Sequence, residues 1–452
     1  MRIVPTHQLT INEIARTTGS PELSINEPIG AIVTNSKEVE KNDLFVALNG
    51  DFSSGENYTA EAKDKGAFIL SAKDKSADIS VSNTEAALLS IVSYYKKKLN
   101  NLKFTIAVTG SVGKTTTKNM IYEILSTDYI VHSTYENYNN FLGVAHTVLT
   151  ACADCEVLVI EMGMNHIGEI SHLSRSVAPD ISVITNVGSA HIGNLGSREK
   201  IAEAKLEIID GMKNGMLIVP FEEELLQVPY KKYTYSLNSP LADCFLKIRE
   251  ENESGALFDF YTKNQCVNDI KLNIPGHHIL SAASIALSIA YYIDADLESI
   301  KKAFLKISET KLVRAKYISI GAYTIYDDTY SASFEATDAV MKMLSMKTEN
   351  LCCVLGDMLE LGEKSKELHE RIGAAAVKYG FKKLFTYGKK ATDIAIGAVK
   401  SGFKKENVFV NENTDLPQIT AEQIKKNCMP GDLILFKASH AIHAKKIFDF
   451  LN

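Results

Sequence analysis

Short apolar runs separated by polar, helix-length stretches recur along this chain, and their rhythm changes from region to region. In the first hundred residues, GAIVTN, DLFVAL and AFILSA predict short buried strands between polar helical stretches, the pattern of a small α/β unit. From about residue 103 the alternation becomes regular. FTIAVT has the length and apolarity of a buried strand, and KTTTKNMIYEIL places Met120, Ile121, Ile124 and Leu125 on one helical face. VLVIEMG, ISVITNVG and MLIVP repeat the strand signal with helical segments between them, which predicts a parallel sheet covered by helices on both faces. Residues 240–275 alternate in the manner of antiparallel strands, and a helix follows from near His278. The polar stretch KISETKLVRAK around residue 310 predicts a linker. Beyond it YTIYDD, LCCVLGDM, KLFTYG, NVFV and LILFKAS form a second strand–helix series. The expectation is an α/β chain of three units, 1–100, 101–309 and 310–452.

Composition narrows the class. A length of 452 residues agrees with about three domains. Hydrophobic residues make up 45% and charged residues 23%, as in soluble globular proteins. A net charge of -6 gives no electrostatic case for nucleic acid or an anionic membrane as partner. The basic triplet Lys96, Lys97 and Lys98 reads as a solvated helix end. No run of about 20 apolar residues occurs, and the N-terminus lacks the apolar stretch of a signal peptide. Seven cysteines at irregular spacings suggest no disulfide framework, and the Cys152–Cys155 pair has no second pair to complete a zinc pattern. A reduced cytoplasmic enzyme is expected.

Candidate chemistry begins at TGSVGKTTTK, residues 109–118. The familiar phosphate loop separates two glycines by four residues; here Gly110 and Gly113 are separated by two. The context is nevertheless strand, glycine turn, Lys-Thr, helix, which gathers backbone N–H groups and a helix N-terminus at one point, as polyphosphate binding requires. Lys114 would neutralise phosphate oxygens, and the Thr115 hydroxyl would reach magnesium. Glu161 ends the strand VLVIE, at the edge where open α/β sheets bind ligands, and a carboxylate there suits magnesium. Thr185, Asn186 and His191 follow the next strand. Lys205, in KIAEAKLEII, reads by pattern alone as solvated helix surface.

Together these residues carry a resemblance. TGSVGKTTTK, NYNNFLGV (137–144), EMGMNHIGEI (161–170), PDISVITNVGSAHIGNLGS (179–197), KIAEAKLEI (200–208), YDDTY (326–330) and LGDMLELGEKSKELHERIG (355–373) resemble, in order and spacing, the Mur ligases, the ATP-dependent amide ligases of peptidoglycan assembly. The branch that joins D-alanyl-D-alanine to UDP-N-acetylmuramoyl-tripeptide is the most similar. The resemblance implies a three-domain Mur ligase architecture: an N-terminal domain receiving the UDP-linked substrate, a central P-loop parallel-sheet domain, and a C-terminal Rossmann-like domain that binds the amine and closes over ATP. It implies nucleotide contacts at Thr109, Gly110, Ser111, Gly113, Lys114, Thr115, Thr116, His278, Ser281, Arg314 and Asp328. Two magnesium sites would use Thr115 and Glu161, then His191 and a carbamylated Lys205. Lys114, His191 and Lys205 would serve catalysis, and Ser36, Asn137, Asn139, Asn140, Asp357, Glu360, Leu361 and His369 the substrates. A monomer acting on a UDP-linked muramoyl peptide and D-alanyl-D-alanine, with no nucleic-acid partner, is the implied state.

Departures from the family pattern cluster. His278 and Ser281 stand where the family carries asparagines beside adenine; Ser331, Ser333 and Phe334 replace part of Tyr-Asn-Ala-Asn-Pro; and Val313 and Ala315 flank Arg314 in place of Gly and Met. Three readings stay open: a divergent enzyme of the D-alanyl-D-alanine branch, a paralogue using the same chemistry on another acid, amine or nucleotide, and a non-catalytic nucleotide-binding scaffold.

Overall fold

The computed structural model describes residues 1–50, 53–312 and 315–451; Arg314 lies outside them. Three sheets organise the chain. In the first, Arg2–Ile3 runs antiparallel to Ile32–Val33, and Leu44–Val46, Phe68–Ser71 and Ile79–Ser80 continue it in parallel. Its core is not sealed off. The helix Thr84–Lys96 buries Leu88, Ile91 and Val92 in a cluster that continues through Val144, Val148 and Leu149 of the central unit. Within the Lys96–98 triplet Lys97 is exposed as expected, but Lys96 is not a solvated end. Lys96 reaches across to the carbonyls of Val177 and Ala178, where the helix Glu169–Val177 ends. A cation there meets the negative end of the helix dipole.

The central sheet has nine strands. Seven are parallel, in the order Val131–Ser133, Val157–Glu161, Phe104–Thr109, Ile181–Ile184, Met216–Pro220, Lys232–Ser236, Cys244–Asn252. Two antiparallel strands, Gly255–Thr262 and Cys266–Leu272, complete it, as the alternation of residues 240–275 predicts. Strand residues divide strictly by parity. Ile106, Val108, Val157 and Val159 enter one core, while Ala107, Leu158 and Ile160 enter the other. Burial on both faces explains why these strands read as unbroken apolar runs. The helix His277–Tyr292 lies in the first of those cores.

The third sheet has six strands, with Tyr323–Asp328, Leu433–Lys437, Leu351–Gly356, Lys383–Tyr387 and Val408–Asn411 parallel and Lys316–Ile320 antiparallel at one edge. It too is covered on both faces: Cys353 and Leu355 pack on one side, Cys352 and Val354 on the other. The architecture is α/β with three mostly parallel sheets.

Candidate active site

The strand Phe104–Thr109 lies between Val157–Glu161 and Ile181–Ile184, with the connections leaving in opposite directions, so the carboxyl ends of three adjacent parallel strands frame a crevice. The glycine turn fills it. Gly113, at φ +81°, starts the helix Lys114–Leu125 in a left-handed conformation that glycine adopts without a Cβ penalty. At Gly110 a side chain would collide with the Thr185 hydroxyl. The turn is held from the neighbouring strand end. Thr185 Oγ1 donates to the Val112 carbonyl at 2.6 Å, the Val112 N–H donates to Asn186 Oδ1 at 3.1 Å, and the Ser111 N–H donates to the Asn186 carbonyl at 3.2 Å. A loop so fixed aims the helix's first-turn N–H groups outward as an anion site. Lys114 Nζ folds back to the Gly110 carbonyl at 2.7 Å.

Beside the loop is a buried oxygen cluster. Thr115 Oγ1 donates to Glu161 Oε2 at 2.9 Å, and Asn139 Nδ2 donates to Glu161 Oε1 at 2.9 Å. Glu161 is 1% exposed, so its carboxylate sits in surroundings that favour a cation partner. Lys205 is the main correction to the pattern-based reading. It is 1% exposed rather than solvated, and burial, reinforced by the charge of Lys114, pushes its pKa well below the ordinary lysine value. His191, at φ 64°, places Nδ1 at 2.5 Å from Glu360 Oε2 of the third unit. The adjacent imidazole holds Glu360 below the usual carboxylate pKa, against the opposing effect of burial. The Gly193 N–H also donates to the Glu360 carbonyl at 2.8 Å.

A cavity of about 620 Å³ opens from the loop toward the third sheet. Residues 111–117 and Asn186 form one wall, His278, Ser281 and Ile285 a second, and Asp328, Glu335 and Lys437 a third. Asp328 and Lys437 are register partners at the carboxyl ends of adjacent strands, paired at 2.8 Å. Two sheets thus face each other by their carboxyl edges. Burial, with His277 close by, pushes His278 down to about 4, so the ring is neutral near pH 7. Ser281 Oγ donates to the His277 carbonyl at 3.0 Å.

Other expected site residues have internal partners. Asn140 caps the helix Phe141–Leu149 by accepting from the Gly143 N–H at 3.0 Å. His369 is wholly buried: Nε2 accepts from the Met358 N–H at 3.0 Å and Nδ1 donates to the Ser365 carbonyl at 2.7 Å, so the ring pins the loop after Gly356. Leu361 is in the core of the third unit, and Asp357 accepts from the Ala391 N–H at 2.7 Å. Asn137 donates to the Tyr330 hydroxyl across the two units. Ser36 bonds Glu61 at 2.9 Å in the first unit, away from the cavity lining. Thr109 is buried at its strand end, and Thr116 lines the cavity.

Three residues escaped the sequence reading. Lys118, one turn after Lys114, is 2% exposed and donates to the carbonyls of Thr134 and Glu136. Its place on the Ile121 and Leu125 face was the available signal. Lys437 and Glu335 belong to the cavity only through tertiary contact and had no local signature.

This constellation, a short glycine turn and Lys-Thr at the switch point of a parallel sheet, defines a phosphate-loop α/β protein. The chain belongs to the Mur ligase family. The family description "Mur ligase middle domain" matches residues 108–290 and "Mur ligase, glutamate ligase domain" matches 313–440. It is 37% identical, over 93% of its length and 92% of the relative's, to a UDP-N-acetylmuramoyl-tripeptide–D-alanyl-D-alanine ligase of Bacillus subtilis. It is 31% identical to the enzyme of that name from Rickettsia prowazekii, over 95% of this chain and 96% of the relative. Among solved structures, MurF from Acinetobacter baumannii superposes with a TM-score of 0.86 at 26% identity over 99% of each chain. MurF ligase from Thermotoga maritima, in complex with ADP, does so with a TM-score of 0.77 at 27% identity over 93% of this chain and 96% of that one.

Proposed function

We propose that this chain is an ATP-dependent amide ligase that adds D-alanyl-D-alanine to UDP-N-acetylmuramoyl-tripeptide in peptidoglycan precursor synthesis. The observation that carries the reading is the buried Thr115–Glu161–Asn139 cluster beside Lys114, at the mouth of a cavity walled on its far side by the third unit. Hydroxyl and carboxylate oxygens are the donors magnesium prefers, so the cluster fits that ion. When bound there, magnesium withdraws charge from the transferring phosphate oxygens. His191 and Lys205 would hold a second ion. Lys205 fits the carbamate role because burial favours the neutral amine, the form that adds CO2, and the product is an anion able to ligate a metal.

The chain's own groups account for the rest. The first-turn N–H groups of the helix Lys114–Leu125 orient the triphosphate, and Lys114, swinging from the Gly110 carbonyl, neutralises its outer oxygens. The substrate carboxylate attacks the γ-phosphorus, giving an acyl phosphate and ADP. The incoming amine then attacks the acyl carbon, loses a proton, and phosphate departs. The closed third unit shields the acyl phosphate from water. His278 and Ser281 would face the base, Asp328 the ribose side, and Arg314 the nucleotide; Asn137, Asn139, Glu360 and Asp357 border the acid and amine, and Ser36 the UDP part. The reading takes the enzyme as a monomer. No helix among the described residues is long and apolar enough to cross a membrane, and the substrates are those of the cytoplasm.

A paralogue serving another acid, amine or nucleotide is the second reading, favoured by the altered wall at His278 and Ser281. One alteration there is mild: Ser333 caps the helix Phe334–Ser345 by accepting from the Ala336 N–H at 3.3 Å, a role Asn also fills. The test is phosphate release from ATP and a panel of other nucleotides, with UDP-N-acetylmuramoyl-tripeptide present, with and without D-alanyl-D-alanine. Release is expected to need both substrates. Turnover with a different amine or nucleotide only would establish the paralogue, and no turnover with any combination would overturn the ligase.

A further inference from the structure

One hydrogen-bonded path runs from the phosphate loop into the third unit without passing through the metal cluster. Ser111 Oγ, in the loop, accepts from the Gly188 N–H at 2.8 Å. The next residue, Ser189, is 7% exposed and gives both its donors to one side chain: its N–H to Glu335 Oε1 at 2.7 Å and its hydroxyl to Glu335 Oε2 at 3.0 Å. Glu335 stands in the first turn of the helix Phe334–Ser345, where the N–H dipoles favour its charge. The approach is as close as a glycine permits, because a Cβ on Gly188 would lie 2.9 Å from the Glu335 carboxyl carbon. The same carboxylate lines the cavity.

We infer that Glu335 is a positioning residue that couples the occupied phosphate loop to closure of the third unit. This rests on the ligase reading above. A carboxylate taking two charge-assisted bonds from adjacent donors has one geometry, so it registers the angle as well as the distance between the units. Triphosphate binding at the loop fixes Ser111; Ser111 fixes Gly188; and the rigid Gly188–Ser189 backbone then presents its donors to Glu335. Two further contacts between the units lie apart from this path: Asn137 to Tyr330 arises from a different loop, and His191 to Glu360 lies two residues beyond Ser189 on the same loop, neither bonding Ser111. Nucleotide affinity comes chiefly from the central unit, so loss of Glu335 reduces the closed, reactive fraction and leaves binding to the loop intact.

The test pairs two readouts on the full-length protein. In steady-state turnover, Glu335→Ala and Ser189→Ala should each lower kcat about tenfold with KM for ATP little changed, and the double variant should be no worse than either, as for two ends of one contact. Glu335→Gln keeps an acceptor for the N–H and a partner for the hydroxyl and should restore most of the rate. In hydrogen exchange, ADP with magnesium should slow exchange at the start of the helix Phe334–Ser345 in the unaltered protein but not in Ser189→Ala. That readout needs no acid or amine, so it stands even if the substrates are others. Equal protection in both proteins, or additive losses in the double variant, would overturn the coupling.

Discussion

The phosphate side of the cavity and its far wall are built on different principles. On the phosphate side, Thr185, Asn186, Glu161 and Asn139 hold loop and helix through short bonds within one unit, and the arrangement is complete before any partner arrives. The far wall is assembled from His278 and Ser281 on one helix and from Asp328, Glu335 and Lys437 of another unit. Phosphoryl transfer tolerates little displacement, so its donors are preorganised. On the ligase reading, contacts to a flat base would tolerate exchange of Asn for Ser or His, and it is here that the sequence departs from the family pattern.

The largest test of that contrast is Lys114→Ala. Removing the cation from the prebuilt side should lower phosphate release about a thousandfold or more, while the protein's melting temperature stays within a few degrees. Residual release above that level would mean the prebuilt side is not the chemical centre. Lys205→Ala should be the next largest, about a hundredfold in kcat, and short-chain carboxylic acids added to the assay should restore part of the rate by standing in for the lost carbamate; no restoration at any concentration would reject the carbamate.

At the far wall the expected effect is on stability. His278 has a folded pKa of about 4 against an ordinary 6.5. Between those values the unfolded chain binds more protons than the folded one, so stability rises with pH there and falls as acid is added. His278→Asn should therefore remove about 2 kcal/mol of the stability lost between pH 7.5 and pH 5 in urea titrations, with only a few-fold change in kcat. An unchanged pH profile would show the ring solvated; a hundredfold loss of kcat would place the far wall on a par with the phosphate side.

Much of this was legible in the sequence where the signal was local. The strand–helix alternation, the antiparallel pair after residue 240, and a helix Lys114–Leu125 that coincides with the stretch KTTTKNMIYEIL needed only periodicity. Glu161 stands at the end of its strand, as the apolar run predicts. Pattern alone reads Lys205 as solvated, because its burial comes from elements distant in sequence and its helix alone looks ordinary. His369 gives both ring nitrogens to the backbone, and Asn140 gives its side-chain oxygen to the Gly143 N–H, roles that no local pattern announces. Glu335 and Lys437 acquire meaning only when two units meet.

The backbones also meet at Gly193 and Gly362. A Cβ on Gly193 would lie 2.5 Å from the Gly362 nitrogen, and one on Gly362 would lie 2.8 Å from the Gly193 Cα. These two residues set a depth stop, the point at which the third unit can travel no further inward. A bulkier residue at either would act as a wedge and hold the two units apart. On the ligase reading, a seam held open would admit water to compete with the amine, and ATP would be spent without a bond being made.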